Sequence, residues 1–264
     1  MKKLIVVADD FGLSEAYSIG AIKAYKEGIA TVLSLMSNMD TAKFAVDLRN
    51  KECPEAPLAQ HTNFVQGKPV SNNVKSMVDE DGYFYRSTMW KSDHPMGEKG
   101  KGTIVPTFED AKRETIAQLE RHKELVGSYP NHIEGHSMGN ENTQRAFKEI
   151  MKEKRIHCMC QEEEDEQLYY GHELIMGNES YMKALHIGIT VEQFMNDICG
   201  ILSSPYEYNI VHFHPGYLDA YVIDHSTLTI PRVRDVQTLT DPRVKEWLKE
   251  NTIELVDFGA LYKK

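Results

Sequence analysis

The chain has 264 residues, of which 41% are hydrophobic and 27% charged, as in a soluble globular protein with one large domain or two small ones. Its formal net charge of −10 argues against nucleic acid or an anionic membrane as the main partner, because both are themselves negative. A neutral sugar is compatible with this charge. No apolar run is long enough to span a bilayer, and the short run near the amino terminus, which ends in acid, does not make a signal peptide.

The four cysteines are Cys53, Cys158, Cys160 and Cys199. Their spacing matches neither a disulfide framework nor a structural zinc site. We therefore expect reduced, mostly buried thiols in a cytoplasmic protein. The oligomeric state stays open, with a homodimer among the alternatives.

The first predicted strand ends in two adjacent carboxylates. An apolar run from Leu4 to Val7 leads to Asp9 and Asp10. Because an unpaired buried charge is very costly, we expect both aspartates at the carboxyl end of the strand, where α/β proteins place their chemistry. Neighbouring strand residues point to opposite faces, so the two carboxylates can share a site only if the backbone turns there, and Gly12 permits such a turn. The alternative is a solvated strand end that caps the next helix.

Strand and helix patterns then alternate along the chain. Ser14 is a good N-cap for a first helix that Gly28 follows. Further strands are predicted at 29–35, 58–61, 131–134, 156–159, 209–214 and 253–256, and further helices at about 41–49, 107–127, 142–154, 191–203 and from Asp241-Pro242 onward. This alternation favours a parallel sheet or a (β/α) barrel.

The alternation breaks between residues 64 and 106. This stretch mixes glycine and lysine with aromatic residues, among them Tyr83 and Trp90. A long connection in a compact domain is usually functional or disordered, and the aromatic residues argue against disorder. We expect a lid or hairpin inserted into a single barrel domain that spans residues 1–264.

Polar side chains stand at the ends of four predicted strands: Asp9 with Asp10, His61, His136 and His214. The carboxyl ends of barrel strands meet on one face, so these residues are expected to be neighbours. One carboxylate and two imidazoles suit a metal site open to water, and the other carboxylate and histidine suit proton transfer. His132 and His212 share faces with His136 and His214 in regular strands, so they are supporting groups or core residues. A hydrogen-bonded structural role is the alternative for each histidine.

Three motifs resemble the YdjC-like carbohydrate deacetylases, which include the chitooligosaccharide deacetylases. They are Asp-Asp-Phe-Gly-Leu-Ser at 9–14, the stretch 28–38 and His-Pro-Gly-Tyr at 214–217, and the tail at 232–242 is also similar to the family's. Their order covers nearly the full chain. The resemblance implies an irregular, TIM-like (β/α) barrel related to the polysaccharide deacetylase fold.

The same resemblance implies the roles of the strand-end residues. A divalent metal, magnesium or zinc, would be held by Asp10, His61 and His136. Asp9 would be the general base and His214 the general acid. The substrate would be an N-acetylated mono- or oligosaccharide.

The chain departs from the family pattern around His136. Glu134 replaces a usual aspartate, and Met138 stands where a second histidine is common. Either change could alter metal affinity or substrate choice through the groups that support the ligands. The family tail implies that Arg232 holds Asp9 in place, with a surface arginine as the alternative.

We interpret the sequence as a metal-dependent hydrolase of N-acetyl groups on sugars. We expect Tyr83 and Trp90 of the insertion to belong to a local core, with stacking on sugar rings as the alternative. A glycoside hydrolase with paired carboxylates is less favoured, because adjacent residues on one strand rarely reach the separation it needs. A non-catalytic sugar- or metal-binding protein on an enzyme fold is a third class.

Overall fold

A computed structural model describes residues 1–96, 98–158, 183–184 and 186–262. The chain divides into two compact units, each assembled from separated stretches of sequence. The first unit comprises residues 1–34, 44–58 and 162–264, and the second comprises 35–43 and 59–161. Within the described ranges, no helix combines the length and apolar character needed to cross a bilayer.

Strands and helices alternate along the described residues, as the sequence predicts. The strands are β1 (Lys2–Phe11), β2 (Val32–Leu35), β3 (Leu58–Thr62), β4 (Lys91–Met96), β5 (Lys99–Lys101), β6 (His132–Gly135), β7 (His157–Cys158), β8 (Tyr208–Phe213) and β9 (Ile253–Leu255). The helices are α1 (Glu15–Lys26), α2 (Ala42–Glu52), α3 (Phe108–Val126), α4 (Glu141–Lys154), α5 (Val191–Met195), α6 (Ala220–His225), α7 (Ile230–Thr240), α8 (Pro242–Glu250) and α9 (Phe258–Leu261).

Strand β1 pairs with strands β8 and β9 of the first unit. It runs parallel to β8, from the Lys3–Tyr208 pair to the Ala8–Phe213 pair, and its first residues also pair in parallel with β9. The side chains from Leu4 to Ala8 are fully buried. Both faces of the strand are therefore packed, as expected for a continuous apolar run in a parallel sheet.

The backbone turns at the end of β1, and the turn begins at Asp10. Asp10 has a φ of 59° and Gly12 a φ of 95°, and the Leu13 N–H donates to the Asp10 carbonyl at 3.0 Å. Aspartate tolerates this left-handed conformation better than most residues. The predicted turn at Gly12 therefore begins two residues earlier. The predicted cap of α1 is confirmed, because Ser14 Oγ accepts from the Tyr17 N–H.

The predicted helix at 191–203 is wrong in length. Helix α5 ends at Met195, and Asp197 adopts a φ of 57°. Its carboxylate then accepts from the N–H groups of Ile201 and Leu202 at 2.7 and 3.0 Å. Aspartate often binds nearby backbone in this way, and the local hydrogen bonds replace helical ones.

Three further parallel strands, β3, β6 and β7, lie mainly in the second unit. Strand β6 pairs in parallel with β3, where His61 lies opposite Glu134, and with β7 on its other side. Helix α3 begins after its N-cap Thr107 and ends before Gly127, whose φ is 94°. The capping signals of this helix confirm its predicted bounds.

The insertion at 64–106 belongs to the second unit. It contains the antiparallel pair β4–β5. Trp90 is fully buried, its Nε1–H donates to the Tyr85 carbonyl at 3.0 Å, and its ring stacks on Phe64 with centroids 6.3 Å apart. The base of the insertion is thus part of the hydrophobic core of this unit, while its action as a lid stays a prediction.

The cysteines of the described ranges are buried free thiols, namely Cys53, Cys158 and Cys199. This agrees with the predicted reduced state. Burial raises the pKa of the Cys53 thiol to about 11, so it stays protonated at neutral pH. Cys160 lies outside the described residues.

Candidate active site

The carboxylate of Asp9 lies beside an imidazole from the neighbouring strand. His212 Nδ1 lies 3.2 Å from Asp9 Oδ1 and 3.1 Å from Oδ2. The parallel register places Val7 opposite His212, so the strand end carrying Asp9 reaches the end of β8. An ionised carboxylate can only accept, so His212 Nδ1 carries the proton in this contact. His212 therefore holds Asp9 in place from within the sheet.

His214 lies one residue beyond the end of β8, on the same side as His212. Its Nε2 is 3.9 Å from Asp9 Oδ2, too far for a direct hydrogen bond and close enough for electrostatic coupling. Its side chain is 17% exposed, compared with 11% for His212. The predicted order, with His214 nearer the rim and His212 deeper, matches this placement.

Asp10 forms a buried ion pair with Arg232 of α7. Arg232 Nη1 donates to Asp10 Oδ2 at 2.7 Å, and Arg232 is only 2% exposed. Burial alone would lower the pKa of this guanidinium, but the Asp10 carboxylate raises it above its ordinary value. The predicted contact of Arg232 with Asp9 is therefore corrected to Asp10. The alternative of a surface arginine is also wrong.

Tyr17 supports the same strand end, and sequence reasoning missed it. Its hydroxyl donates to the Asp9 carbonyl at 2.8 Å, and the Arg232 guanidinium lies 4.9 Å from the centre of its ring. Because Tyr17 follows the Ser14 cap by three residues, the start of α1 fixes it beside the turn at Asp10. The sequence signal for this role was the position of Tyr17 in the first turn of a capped helix, directly after the Asp-Asp motif.

In the second unit, two histidines point ring nitrogens at each other. His61 Nε2 at the end of β3 lies 3.2 Å from His136 Nδ1 just after β6, and the rings are nearly perpendicular. The His136 N–H donates to the Thr62 carbonyl at 2.8 Å, which holds the two strand ends in register. Two nitrogen lone pairs at this distance repel each other unless a proton or a cation lies between them.

Glu134 sets the protonation of His61. Its Oε1 lies 3.2 Å from His61 Nδ1, and its Oε2 lies 3.9 Å from His132 Nε2. Since the ionised carboxylate only accepts, His61 Nδ1 carries the proton and Nε2 keeps its lone pair for a ligand. Carboxylate partners orient metal-binding histidines in this way. Glu134, which replaces the aspartate expected from the family pattern, therefore still contacts His61.

The histidine pair fits a divalent metal ion. Two imidazole nitrogens each about 2.1 Å from one ion lie roughly 3.0–3.4 Å apart at ordinary coordination angles. The observed 3.2 Å between His61 Nε2 and His136 Nδ1 falls in that range. Paired imidazoles suit zinc, cobalt or nickel better than magnesium.

The two aromatic candidates of the insertion differ in exposure. Trp90 is fully buried, so no face of its ring is open to a sugar and we assign it to the core. Met138, near His136 in sequence, belongs to the same core cluster. Tyr83 is 49% exposed, and the Lys68 ammonium lies 4.6 Å from the centre of its ring. Tyr83 therefore stays a candidate for sugar contact.

Residues 3–250 match the family model described as YdjC-like protein. The chain belongs to the YdjC-like family. A carbohydrate deacetylase of Clostridium beijerinckii is 30% identical over 97% of this chain and 98% of that protein. Carbohydrate deacetylase 2 of Listeria innocua is 29% identical over 99% of this chain and all of that protein. The predicted family is thereby confirmed.

Solved structures establish the fold. A protein of Enterococcus faecalis, proposed to cleave cellobiose phosphate, matches with a TM-score of 0.79 and 23% identity over 98% of both chains. A peptidoglycan N-acetylglucosamine deacetylase matches with a TM-score of 0.53 and 14% identity over 99% of this chain and 88% of that one. At these identities the likeness concerns the fold alone. It confirms the irregular, TIM-like (β/α) barrel related to the polysaccharide deacetylases.

Proposed function

We propose that this YdjC-like protein is a metal-dependent deacetylase that removes N-acetyl groups from sugars or oligosaccharides. The full-length relatives named carbohydrate deacetylases support the reaction class. The observation that carries the metal dependence is the 3.2 Å approach of His61 Nε2 to His136 Nδ1, with Glu134 on the far side of His61. This arrangement leaves the His61 lone pair available to a cation.

One divalent ion, magnesium or zinc, is held in this proposal by Asp10, His61 and His136. Such an ion, when bound, polarises a carbonyl group and lowers the pKa of water. Arg232 and Asp10 contact each other at 2.7 Å, so the carboxylate keeps a fixed orientation. A fixed ligand loses less conformational freedom on binding the ion.

Asp9 and His214 carry the two proton transfers in this proposal. Asp9, ionised and held by His212, accepts the proton of the attacking water. His214 donates a proton to the amine that leaves when the amide C–N bond breaks. The 3.9 Å between His214 Nε2 and Asp9 Oδ2 lets a base and an acid act in one site without transferring their proton directly to each other.

Acetate release from N-acetylated mono- and oligosaccharides tests the reaction. We expect release by the metal-loaded protein, loss after chelation, and recovery when zinc or magnesium is returned. Cleavage of the glycosidic bond without acetate release would point to a glycoside hydrolase. Sugar binding without any turnover would point to a non-catalytic protein.

Metal content tests the assigned ligands. His61→Ala and His136→Ala should each lower the bound metal measured by elemental analysis, because each removes one imidazole ligand. His225→Ala is the matched control, since this histidine is exposed on α6 and binds the Tyr221 carbonyl. Wild-type metal content in both ligand variants would contradict the assignment.

A further inference from the structure

We propose that Asp235 is a positioning residue, which fixes the general acid His214 through its backbone. This inference rests on the proposed function, because it gives His214 the role of acid. Asp235 lies in α7, one turn after Arg232, and it is fully buried. The sequence alone assigns it no role, although it lies in the tail at 232–242 that is similar to the family's.

The segment after β8 has two backbone N–H groups, and α7 binds both. The His214 N–H donates to Asp235 Oδ2 at 2.9 Å, and the Gly216 N–H donates to the Arg232 carbonyl at 3.3 Å. Pro215 between them has no N–H to donate. Every donor of the His-Pro-Gly turn is therefore anchored to one helix.

The opposite side of the turn is closed by α1. A Cβ at Gly216 would overlap the ring of Tyr17, and a Cβ at Gly20 would overlap the backbone of Gly216. The turn therefore has no space to move toward α1, and its hydrogen bonds hold it against α7. The backbone of the turn is held on both sides, and this fixes the point from which the His214 side chain extends.

Burial of Asp235 disfavours the charged form of its carboxyl. Burial raises the pKa of its carboxyl to about 7, although the His214 amide and Arg232 both lower it. In the same helix Ile230 and Val233 are 62% and 39% exposed. A helix chosen for packing alone would bury the apolar residues and expose the charged ones. Helix α7 also buries Val236 and Leu239, so its apolar residues supply the packing, and the burial of Arg232 and Asp235 is explained by the groups they bind.

Losing the Asp235 acceptor should displace the acid. Proton transfer to the leaving amine requires the imidazole of His214 to lie within hydrogen-bond reach of the amine nitrogen. A misplacement of about 1 Å can cost on the order of 100-fold in rate. The variant should lose kcat and keep its KM, because His214 acts only after the substrate has bound, when the leaving amine takes its proton.

The test compares Asp235→Ala with Asp235→Asn. The alanine variant should lose roughly 10- to 100-fold in kcat, with KM within about twofold and metal content unchanged. The asparagine variant keeps a side-chain oxygen that accepts from the His214 N–H, so it should recover most of the loss. Hydrogen exchange should be faster than wild type at the His214 amide in the alanine variant only. If Asp235→Ala does not fold, Asp235→Ser replaces it, because serine is too short to reach that amide.

Thr238→Val is the matched control. It removes another buried hydrogen bond of α7, from Thr238 Oγ1 to the Ile189 carbonyl at 2.6 Å, without touching the His-Pro-Gly turn. We expect lower stability with wild-type kcat. An equal fall in kcat for Thr238→Val and Asp235→Ala, or equal losses in the alanine and asparagine variants, would overturn the proposal.

A further variant separates this inference from the proposed function. If His214→Ala loses turnover while Asp235→Ala keeps wild-type kcat and a protected His214 amide, the positioning role is wrong and the deacetylase proposal stands. If His214→Ala itself keeps wild-type turnover, the role of the acid fails, and the positioning of an acid by Asp235 fails with it.

Discussion

Helices α3 and α7 both bury polar side chains, but they use them differently. In α3 the buried set includes Glu114, Gln118 and His122, spaced four residues apart along one face. In α7 it includes Arg232 and Asp235, one turn apart. Each helix belongs to a different compact unit. The comparison separates polar residues that build a scaffold from polar residues that hold a reactive group.

The buried polar side chains of α3 form hydrogen bonds with backbone groups outside helices and strands. Glu114 accepts from the N–H groups of Val70 and Ser71 at 2.9 Å each, and from Gln118 Nε2 at 2.8 Å. Gln118 in turn binds both the N–H and the carbonyl of Asn63. These contacts attach the insertion and the end of β3 to one helix. None of them reaches a side chain assigned to chemistry.

The buried polar residues of α7 bind a side chain and a backbone group of residues to which we assign chemistry in the proposed function. Arg232 binds the carboxylate of Asp10, and Asp235 binds the amide of His214. Changes in α7 should therefore alter turnover or the metal site, whereas changes in α3 should alter stability and leave turnover nearly intact.

The largest effects are expected at the two residues assigned to proton transfer, one of which, His214, is held by α7. His214→Ala and Asp9→Asn should each lower turnover by about 10²–10⁴-fold, roughly 3–5 kcal/mol of activation free energy, because each removes a proton-transfer group. Metal content should stay near wild type in both, since neither residue is an assigned ligand. Acetate-release kinetics and elemental analysis on the same preparations check this. Loss of metal in Asp9→Asn with retention in Asp10→Asn would exchange the two aspartate roles.

Arg232→Met comes next in size. Removing one partner of a buried ion pair typically costs about 3–5 kcal/mol of stability, because the remaining charge stays buried. Here the Asp10 carboxylate would lose its 2.7 Å contact. Denaturant unfolding measures the change. Arg243→Met removes a surface arginine that contacts Glu192 and Asp241, and it should change stability little. Equal destabilisation by the two substitutions would contradict the special place of Arg232.

The parts of the fold that the sequence predicted are those that local chemistry decides. Ser14 caps α1, Thr107 and Gly127 bound α3, and Asp241 caps the helix that Pro242 opens. Each signal acts within a few residues of chain. The apolar runs also predicted strands, because a strand that is buried on both faces carries apolar residues at successive positions.

The parts that sequence reasoning missed depend on distant partners. Arg232 was assigned to Asp9 and not to Asp10, and Asp235 was given no role, because nothing local reveals that Asp10 and the His214 amide lie beside them. Trp90 was expected in a local core and is found there, but its stacking partner Phe64, which is remote in sequence, was not predicted. Asp197 ended a predicted helix by binding backbone beyond it. At Arg232 and Asp235 tertiary contacts decided the outcome, whereas at Asp197 local hydrogen bonds from the backbone to a side chain did.

The smallest expected effect concerns Glu114 and its response to pH. Burial raises the pKa of this carboxyl to about 7 in the folded protein, from an ordinary value of 4.5. The folded state thus binds a proton that the unfolded state has released, so stability falls as pH rises between these two values. Between pH 6 and pH 8 the contribution of Glu114 should fall by on the order of 1 kcal/mol. Denaturant unfolding at several pH values would measure it.

Glu114→Gln should remove this part of the slope, because glutamine does not titrate there but is nearly the same size. Glu124→Gln, at an exposed glutamate of the same helix, should keep the wild-type slope. Asp235, whose pKa burial also raises to about 7, contributes in the same direction, so some slope should survive in Glu114→Gln. Turnover at neutral pH should be unchanged in Glu114→Gln, because Glu114 binds the Val70 and Ser71 backbone and Gln118, none of which is assigned to chemistry. An unaltered slope would contradict the raised pKa of Glu114. A fall in kcat with wild-type stability would place Glu114 in the chemistry and erase the distinction between the two helices.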